Sequence, residues 1–333
     1  MIRNFNKYKT FGRYKILDDK VIFYNGGSGL SFKMKGASFK VDIANIGDPG
    51  SFRVFVDKNY NYGIQLPYNQ SEVIISFETY EEVADPNGIH YVDIVKVNEA
   101  NDNELQISDI HIYGKLLDYD FKYKYKVKVY GDSTIAGYGI LAHEGPTSVK
   151  TNSSVKDFCF RALYELGADF DIFSASGWGL VFSKWTNPNE IGIIDFKDNL
   201  CVHSNEMWVE KDKTDLLIVS LGTNDYSYID LCDSMNRVNI FKETYKKLID
   251  SELEKNKDLK ILMIYGTLKE KDVYPLIEST YEYLKPFYKN LFIHKFDGDN
   301  SAIEHHAYVD KHEEMAKELK EVITQILDKW KET

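Results

Sequence analysis

The chain has 333 residues, 43% hydrophobic and 28% charged, with a formal net charge of −11. That length accommodates two domains with buried cores, and that balance excludes a disordered chain. No block of Lys and Arg rises above the background, so a nucleic-acid partner is not expected. No run approaches the ~20 apolar residues of a membrane helix, so a membrane partner is not expected either.

The opening "MIRNFNKYKTFGRYKILDDK" has no apolar signal core, and Cys159, Cys201 and Cys232 are odd in number and lack metal-ligand spacing. Both point to a reducing, cytoplasmic setting with buried thiols. From about residue 20 to 128 the apolar residues recur at every second position. Leu30, Phe32 and Met34 alternate with polar neighbours, as do Phe39, Val41 and Ile43, then Phe52, Val54 and Val56, then Val73, Ile75 and Phe77. Turn clusters such as "NGGSG", "GDPG", "PYNQS" and "DPNG" separate these runs, and no helical period interrupts them. This is the pattern of a β-sandwich, jelly-roll-like, and the first domain is placed at residues 1–122. In "LDYDFKYKYKVKVYGDS" the residues Phe121, Tyr123, Tyr125, Val127 and Val129 share one face. With no Gly/Ser linker there, the two domains should pack closely.

After Ser133 the period changes. "SVKDFCFRALYELGA" predicts a helix ended by Gly167, "DFDIFSAS" a strand, and "TDLLIVSLGTND" an apolar strand closing in a polar turn. "RVNIFKETYKKLIDSELEK" is helical, "LKILMIYG" is a strand, "VYPLIESTYEYLKPF" is helical and "NLFIHKF" is a strand. "YVDKHEEMAKELKEVITQILDKW" is a long amphipathic helix with Met315, Leu319, Val322 and Ile326 on one face and Ile323 and Trp330 beside it. Alternating strands and helices predict an α/β domain over 123–333, three layers on a parallel sheet.

In such sheets ligands bind beyond the carboxyl ends of the strands. Those ends are "GDS" (131–133), "SASGWG" (174–179) and "GTND" (222–225). Ser133 is a candidate nucleophile, Gly177 offers a backbone N–H with no side chain in the way, and Asn224 offers a side-chain amide. The general base would be a histidine, and "SAIEHHAYVDKHEEMA" lies just before the last helix. Asp132, next to Ser133, suits hydrogen bonding within the turn rather than service behind a histidine, and His312 suits packing on the final helix. Adjacent His305 and His306 fit no familiar ligand spacing, so neither metal nor cofactor is expected.

Gly131-Asp132-Ser133, Gly177, Gly222-Thr223-Asn224-Asp225 and a histidine before the last helix resemble the four blocks of the SGNH/GDSL hydrolase superfamily. "GDSTIAGYG", "LGADFDIFSASGWGL" and "LGTNDYS" are most similar to the two-domain acetyl esterases of the second carbohydrate-esterase family, and "GGSGLSFKMKG" extends the likeness into the first domain. The resemblance implies that Ser133 is the nucleophile and that the Ser133 and Gly177 N–H groups and Asn224 Nδ2 form the oxyanion hole. Fitting His312, Met315 and Ala316 to the end of the family's histidine motif makes His306, not His305, the base. Ala307 replaces the usual proline and Glu304 stands where an aspartate is common. Either Glu304 orients His306 or a backbone carbonyl does so, leaving a Ser–His dyad.

Trp178, Trp185 and Tyr226 lie beside the strand-end turns and could stack on a sugar, and the irregular segment 183–205 could wall the site. The expected activity is removal of acetyl or short acyl groups from an O-acetylated oligo- or polysaccharide through an acyl-serine. A thioesterase or lysophospholipase-like acyl hydrolase is one alternative, and a non-catalytic carbohydrate-binding protein is another. The oligomeric state stays open.

Overall fold

The computed structural model describes residues 5–67, 72–79, 83, 85–184, 190–210, 212–229, 234–268 and 273–328. Nine antiparallel strands make the N-terminal domain: β1 (Tyr8–Phe11), β2 (Tyr14–Leu17), β3 (Lys20–Phe23), β4 (Gly29–Gly47), β5 (Ser51–Val56), β6 (Asn59–Pro67), β7 (Glu72–Ser76), β8 (Ile89–Lys96) and β9 (Asn103–Leu117). They form one sheet in the order β2-β3-β9-β4-β8-β5-β6, with β1 and β7 also paired to β4. It wraps around a core that includes Phe23, Phe32, Phe39, Val54, Phe77 and Ile94.

The change of alternating phase between Met34 and Phe39 has a local cause. The β4–β9 register slips by one residue between Lys35 and Ser38. Such a bulge inserts one unpaired residue and returns the next apolar residues to the same face. Gly36 takes φ +131° there, and a Cβ on it would sit 2.7 Å from the Tyr113 carbonyl oxygen. The bulge needs a glycine.

The second domain contains five parallel strands, β10 (Lys126–Gly131), β11 (Asp169–Ser174), β12 (Leu216–Ser220), β13 (Lys260–Tyr265) and β14 (Leu291–Lys295). Their order is β11-β10-β12-β13-β14, which reverses direction between β10 and β12. The helices are α1 (Ser133–Ala136), α2 (Phe158–Glu165), α3 (Ile193–Phe196), α4 (Thr223–Ile229), α5 (Ser234–Lys255), α6 (Tyr274–Leu284) and α7 (Val309–Asp328). Among the described residues no helix is long and apolar enough to cross a membrane.

Two details differ from the sequence-based expectation. The α2 helix starts at Phe158 rather than near Ser154, because the Asp157 carboxylate accepts the Cys159 and Phe160 N–H groups and caps it. The apolar alternation at Phe121 and Tyr123 does not extend β10, which begins at Lys126. Those rings, with Tyr119, instead surround the Lys58 ammonium at 5.0–5.4 Å, and that ammonium is paired to the buried Asp93 at 2.5 Å. Cation–π attraction and the ion pair thus fix the chain where it passes between domains. On α7, Met315, Leu319, Ile323 and Ile326 are buried, while Trp330 lies outside the described residues. His312 is buried, and its Nδ1 accepts the Phe158 N–H at 3.2 Å.

The two domains share a core. Phe55, Tyr60 and Val95 from the first pack with Phe160, Tyr164 and Ile172 from the second. Phe55 lies 4.6 Å from Tyr164 and 5.9 Å from Phe160, ring centre to ring centre. Beside them Gly12 N–H donates to the Phe170 carbonyl (3.0 Å), and Arg13 is 1% exposed. Arg13 Nε donates to Asp171 Oδ2 (3.0 Å), and its Nη1 donates to the carbonyls of Lys197 (2.7 Å) and Asn199. Desolvating a guanidinium is costly, and these acceptors, with the Phe173 ring 4.1 Å below it, offset that cost.

Arg13→Ala, which strands Asp171 in the interface, should therefore lower unfolding free energy in urea by about 3–5 kcal/mol. The double change Arg13→Met with Asp171→Leu should recover most of that loss, and a single variant with wild-type stability would contradict the account.

Candidate active site

The turns that follow β10, β11 and β12 meet at one edge of the parallel sheet. Ser133 opens α1 directly after β10, and Asp132 caps the turn by accepting the Thr134 N–H and hydroxyl. Burial raises the Asp132 carboxyl to about 6, with Asp225 adding to the shift. Gly131 keeps the turn tight, since a Cβ there would lie 2.4 Å from the Ile135 side chain.

His306 arrives from the segment before α7. Its Nε2 is 2.8 Å from Ser133 Oγ, and its Nδ1 faces the carbonyl oxygens of Ile303 (3.2 Å) and Glu304 (3.1 Å). Carbonyls only accept, so Nδ1 carries the proton and Nε2 is left as an acceptor towards the serine. Glu304 and His305 both adopt left-handed backbone, φ 48° and 63°. For residues with a Cβ this costs roughly 1–3 kcal/mol each, and it turns two successive carbonyls onto one imidazole. The same twist directs the Glu304 side chain away. Its carboxylate accepts from the Tyr138 hydroxyl at 3.4 Å, so the acid expected behind His306 is replaced by backbone.

His306 is 7% exposed, and burial lowers its pKa to about 4, against the pull of the two carbonyls. The ring is therefore neutral, the form a base needs, throughout the ordinary working range.

Asn224, on α4 after β12, donates one Nδ2 proton to the Trp178 carbonyl (3.1 Å) and keeps the second for the cleft. Gly177 lines the same cleft at φ +81°. Asp225, the next residue, accepts the N–H groups of Leu180, Val181 and Phe182 at 2.8–2.9 Å and so anchors the loop after Gly177. Burial lifts its carboxyl to about 6, although the three donors pull the other way.

The cleft encloses about 520 Å3, and Leu268 is the one aliphatic side chain among its described lining residues. Tyr138, Lys184, Tyr228, Glu304 and His305 form its walls. The aromatic contacts need correction. Trp178 is buried with its ring against Phe196 at 5.3 Å, because the turn from Ala175 points the side chain into the core and presents only its carbonyl. Tyr226 and Tyr228 are both half-buried against that core, and of the two Tyr228 lines the cleft. The signal was available: on a helix positions four apart share a face, which pairs Tyr228 with Asn224. Trp185 lies outside the described residues. Tyr138, whose ring centre is 5.3 Å from that of His306, carried no comparable signal in the sequence. Among the described residues no group of three or more His, Cys, Asp or Glu could hold a metal.

A Ser–His pair at the carboxyl edge of a parallel sheet, flanked by Gly177 and Asn224 from the next two strand ends, is the arrangement that the resemblance to the SGNH hydrolases implies. Residues 10–119 match the model of the carbohydrate esterase 2 N-terminal domain. That match covers the first domain, and the solved structures of similar fold extend the likeness over both domains. The chain's fold is that of a family two carbohydrate esterase from Cellvibrio japonicus, at 21% identity and a TM-score of 0.81 over 97% of this chain and 96% of that one. A family two carbohydrate esterase from Clostridium thermocellum, solved in complex with cellohexaose, is similar at 21% identity and TM-score 0.82, covering 96% and 99%. An acetyl xylan esterase from the rumen bacterium Butyrivibrio proteoclasticus gives 17% identity and TM-score 0.81 over 97% and 96%. No curated protein matches in sequence.

The burial of His306 has a direct readout. Its imidazole resonances, followed by NMR against pH, should titrate near pH 4 rather than at the ordinary 6.5, and a midpoint at 6.5 or above would contradict the geometry.

Proposed function

We propose that the protein is a serine esterase that removes acetyl groups from O-acetylated carbohydrate by way of an acyl-serine, using a Ser133–His306 dyad. The observation that carries this reading is the 2.8 Å contact between Ser133 Oγ and the unprotonated Nε2 of His306, with Gly177 and Asn224 beside it. As Ser133 Oγ attacks the ester carbonyl, its proton passes to Nε2. The positive ring is held through Nδ1–H by the Ile303 and Glu304 carbonyls. The carbonyl oxygen becomes an alkoxide and accepts from the N–H groups of Ser133 and Gly177 and from Asn224 Nδ2, each such donor being worth roughly 10²–10³ in rate. Collapse returns the Nε2 proton to the departing sugar oxygen. A water then gives its proton to Nε2 as it attacks the acetyl-serine, and collapse of that second alkoxide breaks the bond to Ser133 Oγ, which takes the proton back from Nε2 as acetic acid leaves and ionises to acetate.

The cleft favours this substrate class over long-chain acyl groups. Among its described lining residues one is aliphatic, whereas Tyr138, Tyr228 and several polar side chains suit a hydroxyl-rich ring. The similar Clostridium thermocellum protein, solved with cellohexaose, supports a carbohydrate here.

Ser133→Ala and His306→Ala should each reduce hydrolysis of p-nitrophenyl acetate and acetylated xylo-oligosaccharides by at least ~10³-fold while circular dichroism stays native. Retained activity in either variant would sink the dyad. Glu304→Ala should lower kcat by no more than about threefold, since a backbone carbonyl survives the change; a loss near 10⁴, as when a triad acid is removed, would restore Glu304 to that role. Rates that rise steeply from acetyl to octanoyl esters would move the assignment to lipid-like substrates.

A further inference from the structure

The oxyanion side of the cleft is held by residues from the other domain. Between β8 and β9 the N-terminal domain sends out a loop carrying Glu99 and Asn101. Glu99 Oε2 accepts the Ser176 N–H at 2.7 Å, and Asn101 Nδ2 donates to the Ser176 carbonyl at 3.2 Å. Asn101 Nδ2 also donates to Glu99 Oε2 at 3.1 Å, and Asn101 Oδ1 pairs with His203 Nε2 at 2.7 Å. Both polar backbone atoms of Ser176 are therefore gripped from outside the α/β domain.

The grip matters because of peptide geometry. The Ser176 carbonyl and the Gly177 N–H belong to one planar trans peptide, in which C=O and N–H point in opposite directions. Tying the carbonyl to Asn101 turns the Gly177 N–H the other way, towards the cleft that Gly177 lines. Among the described residues nothing accepts that N–H. Gly177 sits at φ +81°, and a glycine tolerates both signs of φ, so rotation of this peptide meets little steric resistance of its own. The direction of the donor is set by its outside partners.

We propose that Glu99 and Asn101 are positioning residues for the reaction, which aim the Gly177 N–H at the alkoxide by holding the Ser176–Gly177 peptide. The inference rests on the esterase reading above. Glu99 is completely buried, and its carboxyl is raised to about 7 by that burial and then by Asp102, so it occupies this place at a cost. Lys96, the nearby cation, donates to the Asn98 and Glu99 backbone carbonyls rather than to the carboxylate. The contacts the carboxylate oxygen does make are those that fix the loop.

The test compares Asn101→Ala, the near-isosteric Asn101→Asp, Glu99→Ala and Glu99→Gln with wild type on p-nitrophenyl acetate, and uses Ser133→Ala as the inactive reference. Misaiming one oxyanion donor should lower kcat by roughly 10–100-fold in Asn101→Ala, Asn101→Asp and Glu99→Ala, with KM within about threefold. Glu99→Gln keeps an oxygen that accepts the Ser176 N–H, and should restore kcat to within about fivefold. A crystal structure of Asn101→Ala should show the Ser176–Gly177 peptide rotated. If Ser133→Ala is inactive but Asn101→Ala and Asn101→Asp keep kcat within twofold, the positioning role is overturned and the esterase reading stands. If Ser133→Ala keeps its activity, the esterase reading falls, and the role proposed for Glu99 and Asn101 falls with it. Should Glu99→Ala fail to fold, the Asn101→Asp variant still decides the matter.

Discussion

Three neighbouring strands end level with one another, and the whole site follows from that register. Gly131 pairs with Ser174 of β11 on one side and with Ser220 of β12 on the other. The turns that leave these strands are consequently side by side. Ser133, the Ser176–Gly177 peptide and Asn224 are each separated by more than forty residues of chain, yet each lies just beyond its strand. Nothing in the turns themselves could bring them together. Parallel pairing at a point where the strand order reverses does so.

A level edge still leaves loops free to wander, and buried carboxylates hold them. Asp132 fixes the serine turn, Asp225 fixes the loop after Gly177, and Glu99 fixes the residue before it. Each accepts backbone N–H groups in a place where the ionised form is poorly solvated. A backbone amide cannot be mutated away, and it sits on a stiff peptide plane, so these contacts constrain loop direction more closely than pairs of flexible side chains would. His306 is handled differently. Its orienting acceptors are backbone carbonyls in a left-handed turn rather than a carboxylate, and burial outweighs them to keep the ring neutral.

Much of this was legible in the chain. The strands of the first domain, the alternation in the second and the three strand-end turns are local patterns, and a local pattern survives in a sequence whatever it later packs against. Features that depend on a chain reversal or on a distant partner were hidden. Glu304 stands where an acid was expected, but only its φ of 48° tells that the carbonyl and not the carboxylate meets His306. Trp178 is near the site in sequence but is buried in the core, and Tyr226 packs on that core without lining the cleft, whereas Tyr228, half-buried on the same core, reaches the cleft through helical periodicity that could have been applied. Glu99 and Asn101 lie in a turn between two strands of another domain, and no spacing rule connects them to Ser176. Arg13 looked like one basic residue among many until its acceptors were seen.

The contact of residues 12 and 13 with β11 has a consequence for solution behaviour. β11 is an outer strand of the parallel sheet, and an uncovered outer strand is a row of backbone donors and acceptors ready to pair with another molecule. Gly12 occupies the Phe170 carbonyl, Arg13 neutralises Asp171, and Lys9 reaches Asp169 at 3.1 Å. The N-terminal domain thus serves as a stopper on an adhesive edge. An α/β domain released by proteolysis would carry an open template for strand addition, so the intact two-domain chain is also the form protected against aggregation.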